Sequence, residues 1–255
     1  MPADREPAAV VVAHPDDEVL WLSSVVGTAS RIVFCYGAPF GRPEKAMARR
    51  RAIAALPLAG VVDLGIPESG ARTDFEWARP EPTPTGVAIR DAAAARRYEA
   101  NFARLTDSLR VPLTGIGRVF THNPWGEYGH VEHIQVHRAV VALQRELGFM
   151  IGFSNYVGEA SWPLARQLAP LPCWSERRSL PTDRITARRL RRVYRRHRAW
   201  TWSIAHRWPD RETLYDQPPP GSEVARFAFA GETVLEVERL RWWSPPWRTA
   251  HRVLR

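Results

Sequence analysis

Short apolar runs that alternate with longer helix-like stretches are the feature that most restricts how this chain can fold. The first run, AAVVVA at positions 8–13, is rich in valine and lacks a polar face, as expected of a strand buried on both sides of a sheet. Strand–helix units that repeat roughly every 30 residues predict a parallel, doubly wound α/β sheet. The predicted strands cover residues 8–13, 31–36, 61–66, 118–122 and 149–156.

Apolar residues at helical spacing predict helices between these strands. Residues 67–91 are instead rich in proline, glycine and charge, which predicts a long loop. Ligands of doubly wound sheets bind beyond the carboxyl ends of the strands, so we expect functional residues where the strands end. The predicted helices cover residues 16–30, 44–59, 92–109 and 130–147.

The alternation of strands and helices weakens in the last third of the sequence. We therefore predict an α/β core over residues 1–160 and a C-terminal extension over 161–255, which packs on the core as part of the same domain. Within the extension, the residue pattern predicts a loop over 163–181, a basic helix over 185–208 and a strand over 233–240.

The charge balance is basic, with a formal net charge of +9. Such a balance favours acidic partners or nucleic acid in principle, but an arginine-rich solvated surface is the commoner explanation, and we expect no nucleic-acid partner. No run approaches the roughly 18 apolar residues of a membrane span, and the short polar start lacks the pattern of a secretion signal. We therefore expect a cytoplasmic protein without a membrane segment.

The first predicted strand runs into the motif HPDDE at positions 14–18. Pro15 favours an extended His14 and suits the first turn of a helix. Acids are common at a helix N-terminus, where they cap the helix and match its dipole, but capping does not explain the histidine. Histidine nitrogen and carboxylate oxygen are good zinc ligands. Since Asp16 and Asp17 point in different directions, one can bind the metal while the other faces the substrate.

The fourth predicted strand leads through a glycine-bearing loop to a second motif, HVEH. Its two histidines, His130 and His133, are three residues apart and share one face of the predicted helix. His137 follows on the same face, and we expect it to support the site or the fold. Catalytic zinc has three protein ligands and one open water position, so His130 would be left to act on the substrate. The three ligands would be His14, Asp17 and His133.

These two motifs resemble those of the PIG-L/LmbE-like family of zinc-dependent de-N-acetylases. The family opens with a strand ending in AHPDDE, and positions 13–18 of this chain read AHPDDE. The second family motif is close to GHPDH, and positions 129–133 read GHVEH, so that Val131 and Glu132 are departures. The resemblance covers roughly residues 8–156 and implies a Rossmann-like sheet of the LmbE/PIG-L type.

The resemblance also implies a metal site. It places Zn²⁺ between His14, Asp17 and His133. Next to these ligands, Glu132 keeps a carboxylate that is expected to orient His130.

The resemblance further implies the catalytic groups. Asp16 would be the general base and His130 the electrostatic or acid partner, and either of them would protonate the leaving amine. Tyr128 matches a tyrosine that some members use near the oxyanion. Arginines at positions 49–51 stand where members often carry an acid, which predicts altered substrate contacts.

The function that follows is removal of an N-acyl group, in the first place N-acetyl, from an amino sugar in a small-molecule glycoconjugate such as an antibiotic intermediate. One alternative is an amidase on the same scaffold that cleaves a larger acyl group. A basic nucleic-acid-binding module is another, but it would leave the histidines and acids of both motifs unexplained. The sequence does not determine the sugar, the acyl length, the native metal or the oligomeric state.

Overall fold

A computed structural model describes residues 6–168, 177–221, 235–239 and 251–254. The strands are β1 Ala8–Val12, β2 Arg31–Phe34, β3 Val61–Asp63, β4 Pro82–Thr83, β5 Gly86–Val87, β6 Arg118–Thr121, β7 Met150–Ser154, β8 Tyr156–Val157, β9 Arg177–Pro181, β10 Arg211–Gln217, β11 Leu235–Arg239 and β12 His251–Leu254. The helices are α1 Asp17–Trp21, α2 Pro43–Ala54, α3 Ala92–Leu113, α4 Val131–Leu147, α5 Trp162–Leu168 and α6 Arg184–Arg196.

A seven-stranded sheet organises the molecule, in the order β3-β2-β1-β6-β7-β10-β9. The neighbouring strands from β3 to β7 are all parallel. β10 is antiparallel to both β7 and β9. The predicted α/β class with a mostly parallel, doubly wound sheet is therefore confirmed.

The residues of β1 alternate between two hydrophobic cores, because successive side chains of a strand point to opposite faces. Ala9 and Val11 pack in one core with buried side chains of α3 and α4. Val10 and Val12 pack in the other core with buried side chains of α1, α2 and α6. Residues 9–12 of β1 are fully buried, so helices cover both faces of the sheet where β1 ends.

The prediction of a first helix through residue 30 is wrong: α1 ends at Trp21, and a 3-10 turn, Val26–Thr28, follows. The buried carboxylate of Glu212 on β10 accepts a hydrogen bond from the Ser23 hydroxyl at 2.5 Å and from the Ser24 backbone N–H at 2.7 Å. The helix ends where these polar groups bind a distant strand instead of continuing the helical hydrogen bonds.

The predicted loop over residues 163–181 is also wrong, because it contains α5 and β9. The predicted basic helix ends at residue 196 rather than 208, and β10 was not predicted. The strand predicted over 233–240 is confirmed by β11. Since β9 and β10 belong to the same sheet as β1, residues 177–217 continue the core structurally, whereas the domain boundary at residue 160 stays a prediction.

The remaining helices lie close to their predicted positions. α2 ends at Ala54, three residues before Pro57, and α3 continues four residues beyond its predicted end, to Leu113. The long predicted loop contains a 3-10 turn, Ala71–Thr73, and the short β4–β5 hairpin. Within the described part of the chain, no helix combines the length and apolarity that a membrane span requires.

Candidate metal centre

Both predicted motifs meet at the carboxyl ends of two adjacent parallel strands. His14 follows β1 and His122 follows β6, and a loop from His122 leads to α4. Asp16, the N-cap of α1, has a φ of 95°, in the left-handed region that costs a non-glycine residue energy. Such strain is common at functional sites, where the surrounding structure holds the backbone in place.

One carboxylate oxygen, Asp17 Oδ2, lies between two predicted metal ligands. It is 3.2 Å from His14 Nδ1 and 3.3 Å from His133 Nε2. Atoms that share a tetrahedral zinc ion at its usual bond lengths are roughly 3.3 Å apart. The distances from Asp17 to His14 and from Asp17 to His133 therefore match the spacing of donors around a tetrahedral divalent cation.

The hydrogen bonding of the His133 ring explains why a cation fits between His133 and Asp17. His133 Nδ1 is 2.7 Å from Glu127 Oε2, so Nδ1 carries the hydrogen and Nε2 presents a lone pair. His133 Nε2 is buried and has no hydrogen-bond donor among the described residues. Its lone pair and the Asp17 carboxylate face each other, an arrangement that becomes favourable when a cation lies between them.

His122 was not predicted and lies in the same cluster, stacked on His133 with ring centroids 3.8 Å apart. Its Nε2 accepts a hydrogen bond from the Ala13 backbone N–H at 2.8 Å, and its Nδ1 is 3.0 Å from Glu127 Oε2. Both ring nitrogens are thus engaged by the protein. His122 therefore helps to hold Glu127 in place.

Glu127 is the support that sequence reasoning missed. Its Oε2 faces both His122 and His133, and its Oε1 accepts a hydrogen bond from the Asn123 backbone N–H at 2.9 Å. Glu127 is fully buried and has a φ of 46°. Metal-binding histidines almost always donate their second N–H to such an acceptor. A carboxylate in the loop just before the HVEH motif was the signal that could have identified it.

Glu132 lies closer to His14 than to its expected partner, His130. Glu132 Oε2 is 3.3 Å from His14 Nε2 but 3.8 Å from His130 Nδ1. Its other oxygen accepts hydrogen bonds from Ser69, at 2.7 Å from the backbone N–H and 2.9 Å from the hydroxyl. The carboxylate of Glu132 therefore contacts the outer nitrogen of His14, a predicted ligand, and the orientation of His130 by Glu132 stays a prediction.

A second acid, Glu68, also approaches His14 Nε2, at 3.4 Å. The buried Arg49 lies behind it, with a guanidinium nitrogen 2.6 Å from Glu68 Oε1. Burial disfavours a charge on His14, but the hydrogen bonds with Asp17 and Glu132 outweigh burial and raise the pKa of His14 to about 10. Arg49, expected to change substrate contacts, instead contacts an acid beside the predicted ligand.

Further donor combinations also exist in the cluster. The three side chains His14, His130 and His133 offer ligand atoms within 4.8 Å of one another, and so do Asp17, His122 and His133. A third combination is formed by His14, Glu68 and Glu132. The structure brings all three predicted ligands together but leaves their assignment as the actual set a prediction.

Asp16, the predicted base, lies beside this cluster and is 1% exposed. One of its oxygens, Oδ2, accepts hydrogen bonds from both the backbone N–H and the hydroxyl of Thr201, at 2.7 and 2.8 Å. Burial, followed by the charge of Asp17, raises the pKa of Asp16 to about 7, and the Thr201 hydrogen bonds partly oppose this rise. A group with such a pKa can take up and return a proton near neutral pH.

His130 and Tyr128 lie on the α4 side of the site. His130 is the N-cap of α4, and its Nδ1 accepts a hydrogen bond from the Glu132 backbone N–H at 3.4 Å. Burial and the neighbouring His14 and His133 hold the pKa of His130 well below its usual range, so its ring is neutral. The Tyr128 ring lies edge-on to both His130 and His133, at centroid distances of 5.9 and 5.4 Å.

His137 supports the backbone of the site. Its Nδ1 lies 2.8 Å from the carbonyl oxygen of His122 and donates a hydrogen bond to it. Burial and the nearby Arg138 lower the pKa of His137 to about 3, so the ring is neutral. Its position agrees with the expectation of a supporting residue one helical turn beyond His133.

Comparison with known proteins relates this chain to a known fold. No family model matches the chain, and no curated protein matches it. A solved deacetylase–teicoplanin complex from the biosynthesis pathway of teicoplanin has a TM-score of 0.56 at 13% identity, covering 85% of this chain and 100% of that chain. The zinc-inhibited form of teicoplanin deacetylase has a TM-score of 0.57 at 11% identity with the same coverage.

A third solved structure, a deacetylase of an antimicrobial pseudoaglycone, has a TM-score of 0.53 at 14% identity and covers 86% of this chain and 100% of that chain. Structural similarity at identities this low shows a common fold and does not transfer an activity. The chain therefore has the α/β fold of these solved deacetylases.

Proposed function

We propose that this chain is a metal-dependent hydrolase of the PIG-L/LmbE type that removes an N-acetyl group from an amino sugar of a small-molecule glycoconjugate. The observation that carries the proposal is the convergence of His14, Asp17 and His133 around a buried histidine lone pair, with the carboxylate of Asp16 beside them. The motifs in the sequence and the fold of the solved deacetylases support the same activity.

The metal would be held by His14, Asp17 and His133. Zinc suits this set of nitrogen and oxygen donors, and ligand type alone also admits other divalent ions. When bound, the metal would polarise the amide carbonyl and lower the pKa of water toward about 7. Glu127 would fix the ring of His133, and Glu132 that of His14, through hydrogen bonds on their outer nitrogens.

The protein groups around the metal would handle the protons. Asp16 would accept a proton from the water whose oxygen forms the new bond to the acyl carbon. His130, neutral and with Nδ1 accepting from the backbone, has its Nε2–H left to donate to the developing oxyanion. Because a neutral His130 is a poor acid, Asp16 would return the proton to the amine as the C–N bond breaks, yielding acetate and a free amine.

The solved neighbours support a glycoconjugate as the substrate class. Two are deacetylases associated with teicoplanin, and one is a deacetylase of an antimicrobial pseudoaglycone. The rim of the site in this chain is aromatic, since the half-buried rings of Tyr128 and Trp202 meet edge-to-face at 5.0 Å. Flat aromatic surfaces of this kind suit the apolar face of a sugar or an aglycone.

Acetate release from a panel of N-acetylglucosaminides and glycopeptide intermediates tests the proposal. The chain would be assayed with chelator, after zinc is restored, and as the His133→Ala variant. We expect release that requires metal and is lost in His133→Ala, while the matched His197→Ala, at the C-terminus of α6, retains it. Bound zinc without acetate release would redirect the search to longer acyl groups, and absence of metal binding would overturn the proposal.

A further inference from the structure

The segment of residues 198–208, here called the strap, follows α6 and crosses the catalytic helix α1. Hydrogen bonds to α1 are made by α6 just before the strap and by the last residue of the strap. Before it begins, the hydroxyl of Tyr194 donates a hydrogen bond to Glu18 Oε1 at 2.7 Å. At its far end, the indole N–H of Trp208 donates to the carbonyl oxygen of Val19 at 2.6 Å. The strap is therefore fixed against the short helix that begins with Asp17.

The strap turns sharply to reach the site. Arg198 has a φ of 57°, and the backbone N–H of Ala199 donates to the carbonyl oxygen of Tyr194 at 2.8 Å. Three residues beyond Arg198, Thr201 directs its N–H and its hydroxyl to the same oxygen of Asp16. Thr201 is itself exposed, so its hydrogen bonds to Asp16 rather than burial account for its position.

We infer that Thr201 is a positioning residue for the general base. Two donors on Oδ2 fix the rotation of the Asp16 carboxylate and leave the proton-accepting role to Oδ1. A carboxylate held by one fixed oxygen keeps the other within reach of the attacking water, and small errors in such geometry cost large factors in rate. The inference rests on the proposed hydrolase function, because it assigns a role in that reaction.

The same arrangement accounts for Glu18, the last acid of the first motif. Glu18 is fully buried, and its Oε2 accepts a hydrogen bond from the Asp16 backbone N–H at 3.1 Å. Its Oε1 accepts from Tyr194, at the end of α6. Glu18 thus links the backbone of Asp16 to α6, the helix from which the strap starts. These two hydrogen bonds hold the start of the strap and the base at a fixed distance from each other.

Substitution of Thr201 gives the first test. Thr201→Val removes the hydroxyl donor but keeps the backbone N–H and the shape of the side chain. We expect kcat to fall about tenfold with KM within about twofold and metal content unchanged, as supporting hydrogen bonds in metal sites typically show. Thr201→Ser should restore most of the activity. The matched control, Thr106→Val on α3, lies away from the site and should retain wild-type kcat.

A wild-type kcat in Thr201→Val would overturn the inference, as would an equal loss in Thr201→Ser. A second measurement does not depend on any substrate: hydrogen exchange of the Thr201 amide in the wild type and in Asp16→Ala. The Thr201 amide should exchange at least about tenfold faster in Asp16→Ala, because its acceptor is removed. The Thr186 amide, which donates to Asp183 Oδ1 at 2.9 Å, should exchange equally in both.

The two measurements separate the possible failures. If the wild type hydrolyses no acyl substrate, the proposed function has failed. Hydrogen exchange of the Thr201 amide then still shows whether Asp16 holds the strap. If the wild type is active but the Thr201 amide exchanges at the same rate in both proteins, Thr201 does not position Asp16 and the inference is overturned.

Discussion

The two sides of the candidate site are built in different ways. On the metal side, the His133 ring is held by Glu127, which lies six residues away in the same loop and helix. On the base side, Asp16 is held by Thr201, which lies 185 residues away. One side chain is thus positioned by its own neighbourhood, and the other only after the strap has folded onto α1.

This difference matches the two predicted tasks of the site, which are metal binding and proton transfer. The predicted metal ligands follow strands or lie on helices whose backbones are fixed by the central sheet, and the side chains that support them are buried. Glu127 is fully buried and Glu132 is 1% exposed. The donor that holds the base belongs to an exposed residue on a segment outside the sheet. We therefore expect changes on the metal side to alter metal affinity, and changes on the base side to alter turnover with metal affinity preserved.

Asp16→Asn should produce the largest effect and isolate the base side. An amide cannot accept the proton from water, so kcat should fall by roughly 100- to 10,000-fold, the usual contribution of a general base. Asn is close to Asp in size and still accepts the Thr201 hydrogen bonds, so zinc content measured by mass spectrometry should remain one ion per chain. Loss of zinc in this variant would mean that Asp16 is a ligand and that the two sides are not separate.

Glu127→Gln should produce the converse result on the metal side. A neutral amide is a weaker acceptor for His133 Nδ1–H than a carboxylate, so zinc affinity should fall by about 10- to 100-fold. Competition with a chromophoric chelator would measure this loss. At saturating zinc, kcat should stay within a few-fold of the wild-type value, and a large loss of kcat there would show that Glu127 takes part in the chemistry.

The predicted ligands of the metal side could be proposed from the sequence because they lie in short continuous motifs. His14 and Asp17 come from one strand–helix junction, and His133 from the start of one helix. A strand end and a helix start fix the direction of these side chains, and parallel strands bring their carboxyl ends to one edge. Local pattern and sheet topology therefore suffice to bring the three predicted ligands together.

The base side could not be predicted because its contacts depend on tertiary packing. Thr201 belongs to a stretch that the residue pattern assigned to a helix, whereas the chain leaves the helix at Arg196. β10 escaped prediction because its sequence, RETLYDQ, places acids at buried positions. Glu212 is satisfied there by Ser23 and Ser24, partners that are distant in the chain and thus invisible to local patterns.

The pH dependence of zinc affinity should show that His14, on the metal side, loses a proton when zinc binds. Because the pKa of His14 is raised to about 10 in the metal-free protein, His14 is protonated at neutral pH and must lose that proton to bind zinc. Zinc affinity should therefore rise about tenfold for each pH unit between pH 7 and 9, and fall as the pH is lowered. Titration against a chelator at pH 7, 8 and 9 would measure the slope.

Asp16→Asn should show the same slope as the wild type, because Asp16 belongs to the base side. A flat profile in the wild type would mean that His14 is already neutral, and that the surrounding acids do not hold a proton in place of the metal.

Tyr194→Phe should have the smallest effect, because it loosens the end of α6 from which the strap starts and leaves the hydrogen bonds of Thr201 to Asp16 in place. The variant removes the hydroxyl that donates to Glu18 Oε1 and leaves a buried oxygen without that donor, at a cost of about 1 to 3 kcal/mol in the free energy of unfolding. Urea unfolding would measure the loss. If the strap positions the base, kcat should also fall by a few-fold while zinc affinity stays unchanged. A loss of stability with an unchanged kcat would show that Thr201 keeps its place without Tyr194, because the contacts of Thr201 with Asp16 and of Trp208 with Val19 hold the strap by themselves.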